Sequence, residues 1–159
     1  MTEDSVAVTD LGELIERMRE AASAYIGGNV RRYFELMQHA DDFTLMSPFG
    51  GDVSRESGSS EARVAELERF FQGGEASLEV VQTYASGDLA VLVAVERQHG
   101  KVGDRQPQDW SLRVTLVFRR EESGWRLVHR HADPLVHPIT FDQLGALAGG
   151  DTSAPPSSL

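Results

Sequence analysis

From residue 76 onward the chain is organised as four strand-like runs, 76–84, 89–99, 108–120 and 125–132, and this block constrains the fold more than any other feature. Turn signals at Ser86-Gly87-Asp88 and Ser123-Gly124 separate neighbouring runs, which predicts a consecutive antiparallel meander. In the second run Leu89-Ala90-Val91-Leu92-Val93-Ala94-Val95 is apolar on both faces. A sheet with two apolar faces needs two covers, and helices on one side provide only one. We therefore expect a second copy of the chain on the other face, giving a homodimer. The alternative is that residues 133–147 fold back over it.

Upstream of the strands the apolar period is helical. Leu11, Leu14, Ile15, Met18, Ala21, Ala22 and Tyr25 form one stripe, with Asp10 and Glu13 as a capping box and Gly27-Gly28 as the stop. Asn29 is placed to cap a second, short helix carrying Val30, Tyr33, Phe34 and Met37. A brief strand, 43–46, precedes the loop Pro48-Phe49-Gly50-Gly51 and a polar, Ser/Gly-rich stretch to residue 60. A third helix then carries Val64, Leu67, Phe70 and Phe71 and is expected to end at Gly73-Gly74. Residues 9–148 read as one domain, flanked by segments 1–8 and 149–159 that offer no apolar pattern and are expected to be disordered.

Charge and composition narrow the functional classes. Fifteen basic against twenty-five acidic residues leave a net charge of −10, with no basic run, which argues against nucleic acid. With no cysteine there is neither a disulfide framework nor a thiolate metal site. The acidic start Met1-Thr2-Glu3-Asp4 lacks a leader-type apolar stretch, and no segment approaches the roughly 20 apolar residues of a membrane span. The expectation is a cytoplasmic protein that engages no membrane and carries no cofactor.

The order helix, helix, short strand, helix, four-stranded meander resembles the nuclear transport factor 2-like superfamily over about residues 9–135. Residues 40–50, Ala-Asp-Asp-Phe-Thr-Leu-Met-Ser-Pro-Phe-Gly, look like its segment leading into the pocket. The hairpin from Val117-Phe118-Arg119-Arg120 to Gly124-Trp125-Arg126-Leu127-Val128-His129-Arg130-His131 looks like its last. That hairpin is also similar to the calcium/calmodulin-dependent kinase II association domain. The resemblance implies an α+β fold, a cone-shaped barrel with three N-terminal helices packed on a curved, mostly antiparallel sheet. It implies a SnoaL-like protein whose pocket holds a small apolar ligand with a carbonyl or anionic group, with isomerisation, cyclisation, dehydration or hydrolysis as the reactions of such relatives. The alternative it implies is a non-catalytic association module. The ketosteroid isomerase mechanism is disfavoured, because its base, Tyr and Asp positions match Ser47, Ala21 and Thr115.

Candidate site residues follow from polar groups set into apolar strands. His129 and His131 alternate with Arg130 and so share a face, where they are candidates for acid/base or hydrogen-bonding work. Arg97, Arg113 and Thr115 are expected beside them, with Asp109 and Trp110 at the mouth and Tyr25, Tyr33, Met46 and Phe49 as walls. Arg97 and Arg113 must reach water, an acid such as Asp109, or an anionic ligand, since an unpaired buried guanidinium is costly. A His-x-His pair lacks the third ligand a metal needs, unless His99, His137 or Asp109 folds against it, so no metal is expected.

Overall fold

The computed structural model describes the backbone of residues 2–150 and side chains from Asp10 onward. In chain order it contains α1 (Thr2–Ile26), α2 (Val30–Leu36), β1 (His39–Met46) and α3 (Glu61–Phe70). The meander follows as β2 (Phe71–Ser86), β3 (Leu89–Val102), the two-residue β4 (Gln108–Asp109), β5 (Leu112–Glu121) and β6 (Gly124–Pro134), before a last helix, α4 (Phe141–Ala148).

Two helix ends have the local causes read in the sequence, the stop of α1 at Gly27-Gly28 and the Asn29 cap of α2. The Asn29 side chain accepts from the backbone N–H of Arg32, and that of Ser60 from Arg63, so each satisfies a donor the first helical turn would leave unpaired. Two boundaries need correction. The first helix does not start at Asp10: α1 is already helical at Thr2, and the Asp10 carboxylate pairs with Arg120 at 2.5 Å. The third helix ends at Phe70 rather than at Gly73-Gly74, and β2 begins at the next residue. Residues 151–159, most of the expected tail, lie outside the described residues.

The sheet is open and mixed, in the order β1-β6-β5-β3-β2, with β4 paired on β3. All pairs are antiparallel except β1 with β6. The expected meander is therefore present, with β1 added at its far edge. The single run expected over 108–120 is broken at Trp110-Ser111, where the Asp109 carboxylate accepts the Ser111 N–H at 2.8 Å and draws the chain out of the ladder.

Register assigns the two faces. Ala90, Leu92 and Ala94 of β3 stand opposite Phe118, Leu116 and Val114 of β5, and all six are buried under the helices with Leu14, Met18 and Tyr33. Val91, Val93 and Val95 point the other way and are only half-buried, flanked by exposed Tyr84 and Leu89. The segment suggested as a cover does not bury itself there: none of the residues of α4 is buried, and Phe141 is 87 % exposed.

One close approach fixes how β2 enters the sheet. Gly74 and Gly100 face each other across β2 and β3, and a Cβ on Gly100 would stand 2.9 Å from the Gly74 Cα and run into the Gly73 carbonyl. Both obstacles are backbone, which cannot swing aside as a side chain could. Gly100→Ala should therefore destabilise the fold by about 2 kcal/mol or more. Gly12→Ala, inside α1 with open space around it, should stabilise it by about 0.5–1 kcal/mol. Urea unfolding of both variants beside the parent checks the pair of signs.

Candidate functional site

A cavity of about 700 Å³ opens between the helices and the concave face of the sheet. Its apolar walls come from Tyr25 on α1, Tyr33 and Phe34 on α2, Phe43 and Leu45 on β1, and Phe70 at the end of α3. Tyr25 meets Tyr33 and Phe71 edge-on at 5.1 and 4.8 Å between ring centres, so the aromatic wall is itself packed. The loop after β1 folds back through mutual backbone hydrogen bonds between Leu45 and Ser54, which sets Ser47, Pro48 and Phe49 at the rim. A second concavity, along Arg19, Ser23 and Ser77 between α1 and β2, is an open groove on the surface.

The cavity wall contains a buried ion pair. Arg130 of β6 meets Glu96 of β3 through two parallel hydrogen bonds of 2.7 and 2.8 Å, with 17 % and 3 % of the two side chains exposed. β5 lies between these strands, and the row Ala94–Val114–Ala132 that the guanidinium must cross carries short side chains. Burial alone would lower the Arg130 pKa, but the charge and hydrogen bonds of Glu96 outweigh it and leave it raised. Arg130 is thus held in its charged form.

Around it stand neutral groups. Burial raises the pKa of both Tyr25 and Tyr33, with the Arg130 charge opposing it, so both phenols keep their protons at neutral pH. The Tyr33 hydroxyl lies 3.3 Å from His39 Nε2. Burial, reinforced by the Arg130 charge, lowers the His39 pKa to about 4, so the imidazole is neutral near pH 7. Its ring lies against Phe43 at 4.1 Å, and His39 Nδ1 is buried without a hydrogen-bond partner. The cavity therefore offers donors and acceptors of both kinds without a free charge at its centre.

The candidates read from the sequence divide between the two faces. Tyr25, Tyr33 and Phe49 border the cavity, Phe49 at the rim with 86 % of its surface exposed. His129, His131, Arg113, Thr115, Arg97 and Met46 all stand on the opposite, outer face. There His129 Nδ1 meets Thr44 Oγ1 at 2.8 Å, His131 meets Asp133 at 3.3 Å, and Thr115 is opposite both Val93 and His131. Arg113 pairs with Asp133 at 2.8 Å rather than with Asp109, and Arg97 with Glu79 at 3.1 Å. Met46 lies opposite His131 in the β1–β6 ladder. The Asp109 carboxylate accepts from the Ser111 N–H and the Trp110 indole N–H donates to the Gly100 carbonyl, and neither residue lines the cavity. The physical reason is parity: the imidazoles share a face as expected, but the residue between them, Arg130, is the one that turns inward.

Glu96, His39, Gln98 and Arg130 border the cavity and were not singled out in the sequence. Glu96 had a readable signal, since it continues the series Ala90, Leu92, Ala94 at every second position. Arg130 had a weaker one, because a bulge at Val128 puts Leu127 and Arg130 on the same face, and bulges leave no reliable mark in sequence. Of the positions matched to the isomerase, Ser47 borders the cavity, Ala21 is fully buried, and Thr115 is on the outer face. Among the described residues no group of three His, Asp or Glu could hold a metal ion.

The neutral His39 gives a pH signature. Its pKa is about 4 folded against 6.5 for the free group, so between these values the unfolded chain binds more protons. Its contribution to stability is full above pH 6.5 and is lost as the pH falls toward 4. Relative to His39→Phe, the parent should lose about 2–3 kcal/mol of stability between pH 7 and pH 4.5. Chemical denaturation of both proteins at the two pH values reads this difference directly.

Comparison with known proteins agrees with this architecture. Residues 14–136 match the family model of the SnoaL-like domain. No protein of curated function matches the sequence. Among solved structures, a nuclear transport factor 2-like superfamily protein from Salmonella enterica superposes with a TM-score of 0.65 at 16 % identity, covering 87 % of this chain and 98 % of that one. A nuclear transport factor 2-like protein of unknown function in nutrient uptake from Rhodospirillum rubrum gives 0.57 at 24 % identity, covering 79 % and 98 %. The calcium/calmodulin-dependent kinase II hub homology domain of Chlamydomonas reinhardtii gives 0.55 at 16 % identity, covering 79 % and 98 %. These superpositions show a shared fold, that of the hub homology domain included. With a concave sheet under three helices and a family match across most of its length, the chain belongs to the SnoaL-like domain family of the nuclear transport factor 2-like fold.

Proposed function

We propose that this domain binds a small, largely apolar molecule in the cavity, with its polar end directed at Arg130, Tyr33 and Gln98. The observation that carries the reading is an aromatic-walled space of about 700 Å³ built around a desolvated ion pair. Cavities of this size and lining, with a few convergent polar groups, are characteristic of ligand sites. Groups so deeply buried are also expensive to place where only packing is required. His129, His131 and Arg113 have no part in this pocket, because they occupy the other face of the sheet.

Leu45 borders the cavity without belonging to the fully buried core, so a larger side chain there fills the space rather than disrupting the fold. Leu45→Trp should weaken Nile red binding by at least tenfold and leave the melting temperature within a few degrees of the parent. Fluorescence titration checks this, and unchanged affinity in a folded variant would defeat the reading.

A second reading, association, has its own observation. Val91, Val93 and Val95 form an apolar row on the outer face that the chain leaves only half-covered, flanked by exposed Leu89 and Tyr84. We propose a homodimer through this face, since apolar surfaces of such extent commonly mark interfaces. The likeness to the kinase hub domain supports it. Val93→Glu, at the centre of the row, should convert a sedimenting dimer to monomer at micromolar concentration. A monomeric parent protein would overturn the proposal.

A further inference from the structure

The charges around the cavity balance. Three acidic residues, Asp52, Glu66 and Glu96, and three arginines, Arg63, Arg69 and Arg130, border it, and His39 is neutral. Arg63 and Glu66 pair with each other at 3.1 Å, and Arg130 is held by both oxygens of Glu96. The whole chain carries a net charge of −10, which opposes the approach of any anion.

A carboxylate entering this site would lose its hydration and find its one deep cation already neutralised. It would also face the Glu96 carboxylate across a low-dielectric space, where like charges repel most strongly. A neutral oxygen meets no such cost. Glu96 engages only two of the five N–H groups of the Arg130 guanidinium, which leaves further donors for a carbonyl or hydroxyl oxygen. The apolar body of the ligand would rest against Tyr25, Phe34, Phe43 and Leu45.

We infer that the cavity selects uncharged ligands, an aromatic or alicyclic body ending in a carbonyl or hydroxyl oxygen, and that Glu96 excludes carboxylates by cancelling Arg130. This rests on the ligand-binding reading above and narrows it, since an arginine in the pocket without Glu96 would favour an anionic group.

The test uses three fluorescent probes of one shape, pyrene, pyrenemethanol and pyrenecarboxylate, titrated into the full chain near neutral pH. The parent should bind pyrenemethanol at least tenfold more tightly than pyrenecarboxylate. In Glu96→Gln the guanidinium loses its counter-charge, so the preference should fall by tenfold or reverse, and pyrenecarboxylate should raise the melting temperature more than in the parent. If Glu96→Gln does not fold, the double variant Glu96→Leu with Arg130→Met, which leaves no unpaired charge, takes its place. It should lose several-fold more affinity for pyrenemethanol than for pyrene. A parent that binds the carboxylate as tightly as the alcohol overturns the selectivity while leaving the pocket intact. So does an unchanged ratio in folded Glu96→Gln, or an unchanged ratio of pyrenemethanol to pyrene affinity in the double variant. A parent that binds none of the three removes the ligand-binding reading, and this inference with it.

Discussion

The Glu96–Arg130 pair joins the architecture of this protein to its cavity. It spans β3 to β6 across β5, and it does so on the face where the neighbouring residues of β3 and β5 are apolar. Removing one partner of such a pair costs about 3–5 kcal/mol, whereas exchanging both for well-packed apolar groups can be neutral. The pair is therefore poor evidence for stability as a goal. Its presence makes more sense as chemistry placed in the cavity wall, with two tyrosines and a neutral histidine as neighbours.

The two faces of the sheet carry different kinds of polar group. On the inner face polar side chains are paired with one another or with backbone: Tyr33 with His39, Arg130 with Glu96, Arg120 with Asp10, and Gln98 with the Trp110 carbonyl. On the outer face the ion pairs of Arg97 with Glu79 and Arg113 with Asp133 are largely solvated, so each is worth little to stability. They border a row of valines that the chain itself does not fully cover. The cavity and the outer face are thus separate surfaces, and the same strands serve both because side chains alternate. A fold of this type can host ligand binding and association without conflict between them.

Helix α4 is the element least integrated with the rest. It has a complete capping box at Thr140 and Gln143, yet Leu144 and Leu147 are exposed. Eight residues rarely hold a helix in water by local bonds alone, and here tertiary packing adds little. Its local signals are good, and one chain does not supply the packing they would need.

Much of the fold was legible because local chemistry determined it. The helical stripe through Leu14, Met18 and Ala22, the Asn29 cap and the hairpin turns at Gly87 and Gly124 all depend on near neighbours in sequence. Apolar residues on both faces of 89–95 announced that the sheet separates two surfaces. The site was less legible, because it depends on which parity points inward. That choice is made by long-range register: Glu96 opposite Leu112, Arg130 opposite Leu116, and an extra residue at Val128 that shifts one end of β6 against the other. Sequence alone established that His129 and His131 share a face. Only the tertiary structure decided that the face is the outer one, because β-strand periodicity gives relative orientation, while burial under a helix layer supplies the absolute one.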